Sequence, residues 1–84
     1  MVQHSVLRKI QYALQNKLSK LSLKSSELLS FPLEITQLTH LQELDLSDNK
    51  LTKLPSQIAQ LQELRILNLK TNQLVSIPPE IGYL

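Results

Sequence analysis

From Leu18 onward the apolar positions return at an interval of 23 residues. Leu18, Leu41 and Leu64 share one column; Leu21, Leu44 and Leu67 a second; Leu23, Leu46 and Leu69 a third; Leu28, Leu51 and Leu74 a fourth. The register continues through Phe31, Leu54 and Ile77, through Pro32, Pro55 and Pro78, through Ile35, Ile58 and Ile81, and through Leu38, Leu61 and Leu84. A bundle of amphipathic helices would instead repeat about every 3.6 residues, and a proline in every unit would break its helices. Within each unit a shorter period appears. In Leu44-Asp45-Leu46 the alternation of apolar and polar residues sends both leucines to one side of an extended segment and the aspartate to the other. The pattern predicts one short strand per unit, each stacked on the next, with the leucines sharing a common interior. A fully buried leucine contributes roughly 1.5 to 3 kcal/mol, but a single unit cannot bury its own leucines, so the units depend on one another.

Ahead of the repeats the period changes. Val6, Leu7, Ile10, Ala13, Leu14 and Leu18 recur at helical spacing, with Arg8, Lys9, Gln11, Gln15 and Asn16 on the other faces. Residues 5–17 therefore read as an amphipathic helix. Its expected role is a cap, because the first repeat would otherwise expose its leucines and the edge of its strand.

The clearest unit, LQELDLSDNKLTKLPSQIAQL from Leu41 to Leu61, resembles the leucine-rich repeat of the 23-residue type, and the resemblance extends from Leu18 to Leu84. It implies an α/β fold: a right-handed solenoid with a concave parallel sheet, built from units 18–40, 41–63 and 64–84 behind an N-terminal capping helix over 1–17. It also implies that the side-chain amides of Asn49 and Asn72 satisfy backbone groups of the turn after the strand and of the adjacent repeat. Ser26 fills that column in the first repeat and can satisfy fewer groups. Pro32, Pro55 and Pro78 fix the backbone where strand pairing ends and the chain crosses to the convex side. The helical lead-in is similar to segments that precede the first repeat in bacterial, notably cyanobacterial, proteins of this kind, some of which continue into a GTPase module of the Roco type.

Composition narrows the function classes. The chain has 84 residues, a single glycine and no cysteine, which leaves out disulfides, thiolate chemistry and glycine-rich phosphate loops. Residues 1–10 contain no continuous apolar stretch of the signal-peptide kind, and no apolar run approaches the roughly 20 residues of a membrane span. The expectation is a soluble, cytoplasmic protein. His4 and His40 have no second ligand at metal spacing, and Asp45 and Asp48 have no histidine or general-acid partner in their columns. No catalytic, cofactor or metal site is expected, and the resemblance implies a protein-binding module, with a role in signalling among the possibilities.

The candidate binding residues are those that the alternation sends outward on the concave face: Lys20, Ser22, Lys24 and Ser25 in the first repeat, Glu43, Asp45, Ser47 and Asp48 in the second, and Ile66, Asn68, Lys70 and Thr71 in the third. The sequence runs basic, then acidic, then mixed. Lys20 is expected beside Glu43, and Lys24 near Asp45 or Ser47, pairs worth roughly 0.2 to 1 kcal/mol each. Ile66 is the one exposed aliphatic in the set, suited either to anchoring a contact or to shielding the sheet.

Two other readings stand beside this one. Arg8, Lys9, Lys17, Lys20 and Lys24 carry all the charge of residues 1–24, with no acid among them, so the N-terminal helix has the sign to contact an anionic membrane or nucleic acid. Against that, its apolar face is needed as a cap, and no Trp or Phe accompanies it. Separately, the stretch from Ile77 to Leu84 does not carry the polar outer face of a terminal repeat, so either the array continues in a longer protein, as a structural or assembly segment, or the last repeat pairs with another copy.

Overall fold

A computed structural model describes residues 3 to 79 of the chain. Ile81, Leu84 and the expectation of self-association through the last repeat lie outside the described residues. The first element, α1, is an α-helix over His4–Gln15, ending two residues earlier than the periodicity suggested. Its Val6, Ile10 and Ala13 are buried on one face. Leu14 and Leu18, read in sequence as part of that stripe, are instead 42% and 36% exposed. For Leu18 the cause is the way the helix stops. Lys17 takes a left-handed conformation with φ of 50°. The Lys17 amide then donates to the Leu14 carbonyl at 3.3 Å and the Leu18 amide to the Ala13 carbonyl at 3.0 Å. This Schellman closure satisfies the last carbonyls and redirects the chain, carrying Leu18 off the helical stripe.

Three short strands follow: β1 over Lys20–Ser22, β2 over Glu43–Asp45 and β3 over Ile66–Asn68. They form one parallel sheet in chain order. Lys20 pairs with Glu43 and Glu43 with Ile66; Leu21, Leu44 and Leu67 align, as do Ser22, Asp45 and Asn68. Every partner stands 23 positions on, so the period of the sequence is the register of the sheet. The ladder runs past the strands, with the Leu23 amide on the Asp45 carbonyl and the Leu46 amide on the Asn68 carbonyl, both at 2.8 Å.

Each repeat then turns back in the same way. Ser25, Asp48 and Thr71, again 23 apart, are all left-handed, with φ of 55°, 56° and 57°. A non-glycine residue costs roughly 1 to 2 kcal/mol in this conformation, so the turns are held by their surroundings rather than by local preference. Further on, Pro32 and Pro55 sit in extended conformation before two 3-10 helices, Leu33–Gln37 and Ser56–Gln60. Proline suits the position because its ring presets φ, and its carbonyl accepts the first bond of the helix: from Ile35 at 3.0 Å and from Ile58 at 3.1 Å.

The core lies between the sheet and these 3-10 segments, with α1 packed against β1 and the first 3-10 helix. Leu23, Ile35, Leu41, Leu46, Leu51, Ile58 and Leu61 are wholly buried. In the third repeat Leu67, Leu69 and Leu74 occupy the same columns but are only partly buried, and Ile77 is 47% exposed.

Candidate functional site

The outer face of the sheet resolves into rows that run across the strands. The first row, Lys20, Glu43 and Ile66, points to solvent from paired positions. The Lys20 ammonium meets the Glu43 carboxylate at 3.1 Å, as the sequence indicated. Ile66 is 54% exposed beside them.

The second row has a different task. Ser22, Asp45 and Asn68 each turn a side-chain oxygen back onto the main chain two residues ahead: Ser22 Oγ accepts from the Lys24 amide at 3.4 Å, Asp45 Oδ1 from the Ser47 amide at 2.9 Å, and Asn68 Oδ1 from the Lys70 amide at 3.1 Å. Short oxygen-bearing side chains are what such a turn needs, and the chemical identity can vary because only an acceptor is required. The bonds donated by Ser47 hold the Asp45 carboxyl below its ordinary acidity range, and the charge of Lys24 adds to this against the opposing effect of burial. These three residues stand on the outer face, as the alternation indicated, and also hold the turn that follows the strand.

One expectation is corrected. Ser47 is 5% exposed rather than outward-facing, because the chain has begun to curl inward after β2 and the Ser47 carbonyl accepts from the Ser25 amide and from Asn49 Nδ2, each at 3.1 Å. Lys24 lies close enough for its charge to act on Asp45, as expected, and forms its ion pair with Asp48, at 3.8 Å. Lys24, Ser25, Asp48, Lys70 and Thr71 thus form an exposed polar margin beyond the turn.

Behind that margin the asparagine column stitches the repeats together. Asn49 Nδ2 donates to the carbonyls of Leu23, Leu46 and Ser47, and its Oδ1 accepts from the amides of Ser26 and Leu28, all between 2.9 and 3.1 Å. Asn72 donates to the carbonyls of Leu46, Leu69 and Lys70 and accepts from the Leu51 amide. Ser26 reaches only the Lys24 carbonyl of its own turn. The amide role that the resemblance implied for Asn49 and Asn72 is thus seen directly, and the shorter serine makes fewer bonds.

Elsewhere, His40 faces Glu63 at 3.7 Å on the exposed return between strands, again one period away. No group of three histidine, aspartate or glutamate side chains converges among the described residues, and no helix among them is long and apolar enough to cross a membrane. Two surface grooves escaped the sequence reading. One, of about 490 Å³, is lined by Leu29, Phe31, Leu33, Leu54 and Pro55 with Lys53 at its rim, between successive proline turns. The other, of about 380 Å³, lies between α1 and β1 and is lined by Arg8, Lys9, Tyr12, Leu18, Lys20, Leu21 and Ser22. Periodicity identifies the residues that face a shared core; it is silent on gaps between elements of different period.

Comparison with known proteins agrees with the geometry. The family profile described as leucine rich repeat matches residues 16–79. A solved leucine-rich-repeat protein of Leptospira interrogans is similar, with 36% identity over 87% of this chain and a TM-score of 0.53. The match covers 25% of that structure, so the chain spans about a quarter of its length. No curated protein matches the chain.

Proposed function

The chain belongs to the leucine-rich-repeat family, and from that premise we propose that it is a protein-binding module that meets its partner on the outer, concave face of the parallel sheet, with Ile66 as the apolar anchor. The family's repeats generally mediate contacts between proteins. The observation that carries the reading here is the exposure of Ile66. It occupies a strand position in register with Glu43, yet it is 54% exposed, takes no part in the core and caps no turn. An exposed aliphatic on a rigid strand forfeits the stabilisation of burial until another surface covers it. Glu43 stands beside it in the same row, and Lys24, Asp48, Lys70 and Thr71 add a mixed-sign polar margin beyond the strand ends, the kind of rim that borders an interface centre. Ser22, Asp45, Ser47 and Asn68 set the curvature on which that surface is displayed.

In the same reading the strands follow a right-handed coil, and α1 serves as the N-terminal cap. The burial of Val6, Ile10 and Ala13 against the first repeat supports the capping role. The module is non-catalytic: its polar rows are spent on turn geometry and surface pairs.

The test uses proteins captured by the wild-type chain and identified by mass spectrometry, each then titrated against the double variant Ile66→Asp, Lys70→Glu. A concave-face partner loses roughly tenfold or more in affinity, about 1.4 kcal/mol, while the unfolding midpoint of the variant stays at the wild-type value. Partners that bind the variant as tightly as the wild type would overturn the reading.

A further inference from the structure

The groove between α1 and β1 adjoins the face that carries Ile66, sharing Lys20 and Ser22 with it, and differs from it in charge. Arg8 and Lys9 project from the exposed side of the helix, and Lys20 from the first strand, while Tyr12, 62% exposed, and Leu18 supply an apolar floor. No acidic side chain lines it among the described residues. The acids of the chain begin at Glu27, and those of the sheet region, Glu43, Asp45 and Asp48, belong to the second repeat.

The strand that lines it, β1, is also the outermost of the sheet among the described residues. In a parallel ladder alternate residues bond to one neighbour. Ser19 and Leu23 serve the second repeat, through the Ser19 carbonyl and the Leu23 amide. Lys20 and Ser22 therefore turn their backbone groups away from β2, to the side where no strand stands beyond β1 among the described residues.

From these observations we infer that the groove receives an extended, acidic peptide segment of a partner protein, which lies along the outer edge of β1 with its carboxylates on Arg8, Lys9 and Lys20. An added strand takes its affinity from main-chain bonds to Lys20 and Ser22, and its alternate side chains meet the cations and the Tyr12–Leu18 floor in turn. Charge decides the occupant. A nucleic-acid backbone or a flat anionic bilayer extends beyond three cations, one of them already paired with Glu43, and meets the carboxylates of the second repeat. A short peptide along the β1 edge stops before them.

The probe is a fluorescent peptide of alternating glutamate and valine, titrated into the full chain at low ionic strength, with the glutamine–valine peptide as control. Parallel arms contain labelled single-stranded DNA and anionic phospholipid vesicles. The expected result is binding of the glutamate peptide alone, with amide shifts at Lys20 and Ser22 and with weakening as salt rises to about 0.15 M, where the screening length falls to about 8 Å. The double variant Arg8→Glu, Lys9→Glu, whose substitutions lie on the exposed face of α1, loses at least tenfold in affinity and keeps the wild-type helicity. The proposal is overturned if the glutamine peptide binds equally, if the double variant binds unchanged, if shifts map to β3 instead, or if only DNA or vesicles bind. Because Ile66→Asp, Lys70→Glu leaves this groove intact, failure of one surface is distinguishable from failure of the other.

Discussion

The second and third repeats place the same residues in the same columns and give them different weight. Leu46 and Leu69 stand one period apart, each at the end of an alternating Leu-x-Leu segment, yet Leu46 is wholly buried and Leu69 only partly. Asn49 makes five bonds to backbone groups, two of its partners being amides of the first repeat; Asn72 makes four, with a single amide among them. The side chains are alike, so the difference comes from what surrounds them. A residue of the second repeat has a repeat on either side, whereas β3 pairs with β2 alone among the described residues. In a stacked array the contribution of a residue is mostly an interface quantity, shared with its neighbours.

That contrast can be broken most severely through the leucines. Leu46→Ala removes side-chain atoms that are fully enclosed and is expected to cost roughly 3 to 5 kcal/mol, whereas Leu69→Ala should cost about half as much, because its site already admits solvent and can relax. Chemical denaturation of both variants measures the gap, and equal losses would remove the basis of the comparison. The asparagines sharpen it. Asn49→Ala strands buried carbonyls and amides in two repeats and should destabilise by roughly 2 to 4 kcal/mol, against roughly 1 to 2 for Asn72→Ala. Hydrogen exchange adds a positional readout: the Ser26 and Leu28 amides lose protection in the first variant and keep it in the second.

The smallest effect concerns the column that holds Asp45 in one repeat and Asn68 in the next. Both side chains accept the same turn bond, but only Asp45 titrates. Its acidity is strengthened in the folded chain, so its contribution is complete above the ordinary aspartate range and fades as pH falls through that range toward the folded value. Asp45→Asn keeps an acceptor oxygen and makes the two repeats alike. Thermal unfolding followed across pH should show the variant losing less stability on acidification than the wild type, with the two curves converging at low pH. Parallel curves would show that the Asp45 carboxylate contributes no pH dependence.

The candidate surface was only partly legible beforehand. The exposure of Ile66 and the Lys20–Glu43 pair follow directly from alternation and a fixed period, since both depend only on which face a strand residue occupies and what stands 23 positions on. Past the end of each strand that logic fails. Alternation placed the second row on the outer face, as it is, but it also placed Ser47 there, and Ser47 is enclosed; nor did alternation foresee that the oxygens of Ser22, Asp45 and Asn68 bond to the backbone. A signal existed in the restriction of this column to serine, aspartate and asparagine, all favoured in side-chain-to-backbone turns.

By itself, then, the sequence determined the strand register, the columns of leucine and isoleucine that supply the core, and the places of the turns at Pro32 and Pro55. A repeated unit meets a copy of itself, so its own spacing dictates which residues align. What only the tertiary structure decided is the depth to which each column is buried, the partner that Lys24 selects, and the cationic groove where α1 meets β1. These depend on how a turn redirects the chain and on how a helix of one period seats against strands of another, and no single periodicity in the sequence encodes that fit.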